Sequence, residues 1–131
     1  MPHLTIEYTA NLDEFAGDRS LLLSLHQLLH SVAGIDIHNC KSRWRMMDEW
    51  LVGDGSTSSA FVHLDIRFLE GRPQDVKHAV GAGALELLRE HFAGASEDRD
   101  LQITVEVLDI RRAFYFKDPP GTLGPPPLTL V

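Results

Sequence analysis

Cysteine is almost absent. Cys40 is the only one in the 131 residues, so the chain cannot close an internal disulfide. Stability must come from a buried core, which a chain of this length with 44% hydrophobic residues can form as one domain. A single free thiol also fits a reducing compartment. No apolar stretch approaches the roughly 20 residues that span a bilayer. The N-terminus has no basic segment leading into an apolar run, so no secretion signal is expected. Together these absences lead to the expectation of a cytoplasmic protein with no membrane partner. Positive charge is scarce as well: 12 Lys and Arg stand against 19 Asp and Glu, a formal net charge of −7. A general nucleic-acid binder would carry a basic patch or stripe, so nucleic acid is not an expected partner. A small anionic substrate is compatible with this balance, because a few arginines in a cleft can focus a positive field on a net-negative body.

What the chain does have is periodicity. In His3–Tyr8, Leu4, Ile6 and Tyr8 alternate with His3, Thr5 and Glu7, the period of a half-buried strand. Asp18 offers a helix N-cap, and Leu21, Leu25, Leu28, Leu29 and Val32 then recur at helical spacing as far as Ala33, with Gly34 as a natural stop. From Lys41 to Leu51 the pattern is extended again, with Trp44, Met46 and Trp50 among its apolar positions. The "GDGSTSS" after it predicts a hairpin-type connection. Ala60–Leu69 is the clearest strand. "EGRP" opens a second helix with Pro73 in its first turn and Val76, Val80, Leu87 and Leu88 on its buried side. Gly81, Gly83 and the neighbouring alanines permit close packing on a sheet, and Ala93–Gly94 ends the helix. Leu101–Ile110 alternates as a last strand.

This order predicts an α/β (α+β) fold: two consecutive βαβ units forming a four-stranded mixed sheet with both helices on one face. The other face would carry Thr5, Glu7, Arg43, Arg45, His63, Asp65, Arg67, Thr104 and Glu106, either solvated or packed against other subunits. Residues 1–117 make the expected single domain. The remaining 118–131, "DPPGTLGPPPLTLV", cannot be helical and are expected as an extended tail whose apolar end docks on a neighbour.

One residue raises a chemical question. A proline directly ahead of a strand is explained by its missing N–H donor alone. If Met1 is removed, however, the nitrogen of Pro2 becomes a secondary amine. An apolar pocket and nearby cations would lower its pKa and leave it neutral near pH 7, as a general base requires.

The opening "MPHLTIEYTANL", together with "KSRWRMMDEWLVGDG", "AFVHLDIRFLEGR", "LLREHFA" and, less closely, "FYFK", resembles the tautomerase superfamily, and within it the 5-carboxymethyl-2-hydroxymuconate Δ-isomerases. The resemblance reaches roughly to Lys117. It implies the double βαβ fold, a homotrimer with active sites at subunit boundaries, and neither a metal nor an organic cofactor. It also implies that the amino-terminal proline, Pro2, moves a proton in a keto–enol isomerisation of an unsaturated, polycarboxylated product of aromatic-ring cleavage.

Fixed cations would stabilise the dienolate that develops in such a reaction. Lys41, Arg43 and Arg72 are the candidates for substrate binding, and arginine suits carboxylates because its fork binds them bidentately. Where relatives carry "RSR", this chain has "KSR", so Lys41 keeps the charge and loses the fork. After Arg72, relatives have serine where this chain has Pro73, which stiffens the loop. Phe116 is the candidate for an apolar wall beside the amine. His63, on the polar sheet face, is expected in a structural hydrogen bond at a subunit contact. His26 and His30, four apart on the first helix, lack a third metal ligand and are expected as solvated residues. "GAGAL" lacks the ending of a phosphate loop, and Cys40 reads as a buried or incidental thiol. Two alternatives remain open at this point. One is a hydratase or dehalogenase of unsaturated acids, with Glu7 or Glu49 activating water. The other is a trimeric module that binds small carboxylates without turnover.

Overall fold

Alternation becomes a sheet in the computed structural model, which describes residues 1–120. The strands β1 (His3–Thr9), β2 (Lys41–Met47), β3 (Ser59–Leu69) and β4 (Asp100–Ile110) lie in the order β2-β1-β3-β4. Helix α1 (Arg19–Ala33) connects β1 to β2, and helix α2 (Gln74–His91) connects β3 to β4. β1 runs parallel to β2 and β3 parallel to β4, while the central pair β1–β3 is antiparallel. The architecture is the expected one: two βαβ units, joined through their first strands, in one mixed sheet.

One face of that sheet makes the core. Leu4 and Ile6 of β1 lie opposite Ile66 and Leu64 of β3, and all four are fully buried. They meet Leu21, Leu25 and Leu29 of α1 and Val80, Ala84 and Leu88 of α2. Each such side chain removed from water contributes roughly 1.5–3 kcal/mol, which is where the stability of a disulfide-free chain has to come from. Gly81 packs on β4, with Val107 3.5 Å from where a Cβ would stand, as a sheet contact requires. Gly83 instead faces α1, where Leu28 would lie 2.9 Å from a Cβ, so its bareness lets the two helices approach each other.

The opposite face is polar in register. Thr5 lies between Arg43 and Asp65, and Glu7 between Arg45 and His63. His63 is bonded within its own chain: Nδ1 accepts from the Thr104 hydroxyl at 2.6 Å and Nε2 donates to Asp65 at 2.7 Å. His63, Asp65 and Glu106 bring three potential metal-ligand atoms within 4.8 Å, and both ring nitrogens of His63 already have partners, in Thr104 and Asp65.

Three expectations need correction. β2 and β3 do not form a hairpin, because β1 lies between them. Turn-forming residues specify a chain reversal but not the partner of the strand that follows, and here the strand pairs past its predecessor. β2 also stops at Met47, short of Leu51. Finally, His26 and His30 are not simply solvated: His26 Nε2 pairs with the Ser42 hydroxyl at 2.8 Å, and His30 Nδ1 bonds the Ile35 carbonyl at 2.9 Å. Of the expected tail, residues 121–131 lie outside the described residues, and so does its docking.

Candidate active site

Pro2 is buried immediately ahead of β1, and its carbonyl accepts the Lys41 N–H at 3.1 Å, extending the β1–β2 ladder by one step. It lines a cavity of about 270 Å³ at this end of the sheet. The other walls come from Met1, from the exit of α1 (Gly34, Ile35, Asp36 and Asn39), from the end of β3 (Phe68, Leu69 and Arg72), and from Arg112 just beyond β4.

Local sequence chemistry sets each wall. Asp18 starts α1 by accepting the Ser20 N–H at 2.8 Å. Gly34 ends it in the left-handed region at φ 67°, its N–H returning to the His30 carbonyl, and so delivers Ile35 and Asp36 to the cavity. Asp36 spends Oδ1 on the His38 N–H at 3.0 Å, capping a single 3-10 turn.

Arg72 is held from both sides. Gly71 before it adopts φ 114°, a conformation that L side chains rarely reach. Pro73 after it disfavours helical geometry at Arg72 and leaves α2 to begin at Gln74. The guanidinium then donates through Nε to the Ala33 carbonyl at 3.2 Å and through Nη1 to the Leu69 carbonyl at 3.3 Å, and lies 5.2 Å from the centre of the Phe68 ring. Arg72 therefore caps the negative end of α1 and also lines the cavity. Burial, and then the neighbouring charge of Arg112, hold its pKa below the usual value.

The amine at the start of the chain feels the same surroundings. Burial, followed by the charges of Lys41, Arg72 and Lys117, holds the Met1 amine below its ordinary value, with Cys40 acting in the opposite sense. With Met1 attached, the Pro2 nitrogen is an amide, and Met1 itself is buried in the cavity wall, only 6% exposed.

Among the residues singled out from the sequence, Pro2 and Arg72 share this cavity. Lys41 is exposed, its Nζ donating to the Asn39 carbonyl at 3.0 Å, and it reaches the amine through its charge. Arg43 and Phe116 are not brought to this cavity within one chain. Strand parity puts Arg43 on the polar sheet face, where Nη2 donates to His3 Nδ1 at 2.9 Å. That bond leaves the His3 proton on Nε2, which donates to the Tyr115 hydroxyl at 2.9 Å. Burial, then Arg43, Lys41, the N-terminal amine and Arg67, lower the His3 pKa, consistent with a neutral ring. Phe116 is 69% exposed, beyond the turn at Arg112–Phe114. Glu7 and Glu49 line no part of the cavity. Cys40 is half-buried, and burial raises its pKa, which suits an unreactive thiol.

Arg112 was missed from the sequence. Leu69 pairs with Ile110 in the parallel β3–β4 ladder, so two residues further along each strand Arg112 arrives beside Gly71 and Arg72. The "RR" directly after the last strand was the available signal. A larger groove, of about 670 Å³, lies between the end of α2 and the start of β4, but there Arg89 is paired with Glu86 at 3.2 Å. Among the described residues no helix is long and apolar enough to cross a membrane.

Comparison with known proteins fits this geometry. The family model of 5-carboxymethyl-2-hydroxymuconate isomerase matches residues 2–120. The 5-carboxymethyl-2-hydroxymuconate Delta-isomerase of Escherichia coli is 27% identical over 117 residues, covering 89% of this chain and 93% of that protein. The crystal structure of a 5-carboxymethyl-2-hydroxymuconate isomerase from Deinococcus radiodurans R1 superimposes with a TM-score of 0.81 at 32% identity, over 89% of this chain and 88% of that one. A fused 4-OT symmetric trimer shares the fold at 12% identity, with a TM-score of 0.67 over 88% of this chain and 91% of that one. Matched over nearly its whole length, the chain belongs to the 5-carboxymethyl-2-hydroxymuconate isomerase family, isomerases of the tautomerase type.

Proposed function

We propose that this isomerase uses Pro2, once Met1 has been removed, as the base that moves a proton along an unsaturated, carboxylated substrate of the muconate type. The observation that carries this reading is the burial of Pro2 in a cavity shared with two arginines. Removing Met1 would convert the Pro2 amide into a secondary amine and vacate the space that the Met1 side chain fills. The cations that lower the Met1 amine pKa would act in the same sense on a Pro2 amine one residue further in. A neutral amine at pH 7 can take a proton from one end of a conjugated enol, and the resulting ammonium returns it at another carbon. The dienolate formed between these steps is negative; Arg72, held by two carbonyls, and Arg112, in the same cavity wall, supply the positive charge that stabilises it. The net change is an isomerisation: no electrons enter or leave, so no redox cofactor is needed. The name of the Escherichia coli relative supports a polycarboxylated hydroxymuconate as substrate. A homotrimer is supported by the trimeric fold neighbour, and the polar sheet face that carries Arg43 is the surface offered to neighbouring copies.

Turnover of an enolpyruvate, followed by ultraviolet absorbance, tests the proposal. Pro2→Ala should lower kcat/KM by about 10²–10⁴-fold, the usual contribution of a positioned base. Full activity in Pro2→Ala would overturn the mechanism. Carboxylate binding without any turnover by the native protein would make it a binding module.

A further inference from the structure

We propose that Arg112 is a second substrate-binding arginine, and that it sets the preference of this site for polycarboxylates over monocarboxylates. The proposal rests on the tautomerase reading above and names the ligand class of the same cavity.

Three observations carry it. First, the position of Arg112 is built into the fold. The β3–β4 ladder continues past its last pair, with Glu70 N–H donating to the Ile110 carbonyl at 3.0 Å. The Glu70 carboxylate then accepts the Arg112 backbone N–H at 2.8 Å. That carboxylate fixes the main chain of Arg112 without neutralising its side chain.

Second, the two guanidiniums have no anion of their own among the described residues. Among the described residues neither Arg72 nor Arg112 lies within ion-pair distance of a carboxylate, although five other arginine or lysine partnerships do form. Asp36, the carboxylate in the cavity wall, is engaged by the His38 N–H. Two like charges thus share one cavity; burial first, and then the Arg112 charge, lowers the Arg72 pKa.

Third, Arg72 alone is poorly equipped for a fork-to-carboxylate contact, because Nε and Nη1 are spent on the Ala33 and Leu69 carbonyls. The Arg112 guanidinium donates no hydrogen bond to any described residue, so its donors complete what Arg72 lacks. The charges of Lys41 and Lys117 act on the nearby amine in the same sense, and among the described residues the one carboxylate in the cavity wall is Asp36.

The test compares the native protein with Arg112→Ala and Arg112→Lys. Turnover is measured on 5-carboxymethyl-2-hydroxymuconate, with three carboxylates, and on phenylenolpyruvate, with one. Calorimetric binding is measured with adipate and with hexanoate, which match in chain length and differ by one charge. Arg112→Ala should lower kcat/KM on the tricarboxylate at least about tenfold more than on the monocarboxylate, mostly through KM, and should lower adipate affinity about tenfold more than hexanoate affinity. Arg112→Lys should recover part of the loss, since it restores charge without the fork. Equal losses on both members of a pair, no loss, or a native protein that binds adipate no better than hexanoate would overturn the proposal. If the native protein turns over neither enol, the functional reading fails, and the adipate–hexanoate comparison still decides the role of Arg112. If Arg112→Ala does not fold, by circular dichroism, the same comparisons are made between the native protein and Arg112→Lys.

Discussion

Replacing Arg72 with alanine separates its structural and functional roles. In the fold Arg72 donates to two carbonyls at 3.2 and 3.3 Å and packs on Phe68 at 5.2 Å. Bonds from a charged donor contribute about 1.5–3 kcal/mol at best, and these two are long and border a cavity that water can enter, so about 1 kcal/mol for the pair is reasonable. The contact with the ring adds about 0.5–1 kcal/mol. Arg72→Ala should therefore cost about 1–2 kcal/mol, a fall of roughly 3–10 °C in melting temperature for a chain of this size. If the same side chain also stabilises a developing dienolate, kcat/KM should fall by about 10²–10³-fold, measured well below the lowered melting point. Arg72→Lys should fall between the two in activity, because it keeps a charge and loses the carbonyl contacts that hold that charge in place. A lower melting temperature with kcat/KM changed less than about threefold would refute the functional role and leave Arg72 as the cap of α1.

Three further outcomes follow from the geometry. Lys41 is the first of the charges that lower the Met1 amine pKa, and the same charge would act on the Pro2 amine once Met1 is gone, so Lys41→Gln should raise that pKa and move the acidic limb of the kcat/KM profile to higher pH; an unmoved limb would count against the amine as the titrating base. The His3 ring should titrate below 6.5 by proton NMR and move up in Arg43→Gln; because its folded pKa is depressed, its contribution to stability is present above pH 6.5 and is lost as pH falls through the folded value. Gly71→Ala forces an L side chain to φ 114° and should cost at least about 1 kcal/mol in urea unfolding, with a loss of activity that exceeds the loss of folded protein because Arg72 is displaced.

The fold was legible because its elements obey simple periods. The alternation of Leu4, Ile6 and Tyr8 against Thr5 and Glu7, and the leucines of α1, set which faces are buried, and Asp18 and Gly34 mark the ends of α1. Strand partnership was not legible in the same way. The glycines and serines between β2 and β3 mark a change of direction, but the neighbour of each strand is set by long-range packing, which put β1 between them. Of the residues singled out from the sequence, Pro2 and Arg72 line the candidate cavity, and at both a family resemblance and distinctive local chemistry coincide. Arg112 sits in none of the motifs that carry the resemblance, and the "RR" after the last strand gains a place at the cavity only when the parallel ladder is continued two residues beyond Leu69 and Ile110. Arg43 was associated with the site by its charge, but parity on β2 sends it to the opposite sheet face from Pro2.

All of this chemistry depends on the bond between Met1 and Pro2. Intact-mass spectrometry of the protein isolated from its own cells measures that bond directly. The mass should be that of the chain lacking its first methionine, with Pro2 as a free secondary amine. A mass that retains Met1 would leave the proline nitrogen an amide without a basic lone pair, and would contradict the mechanism.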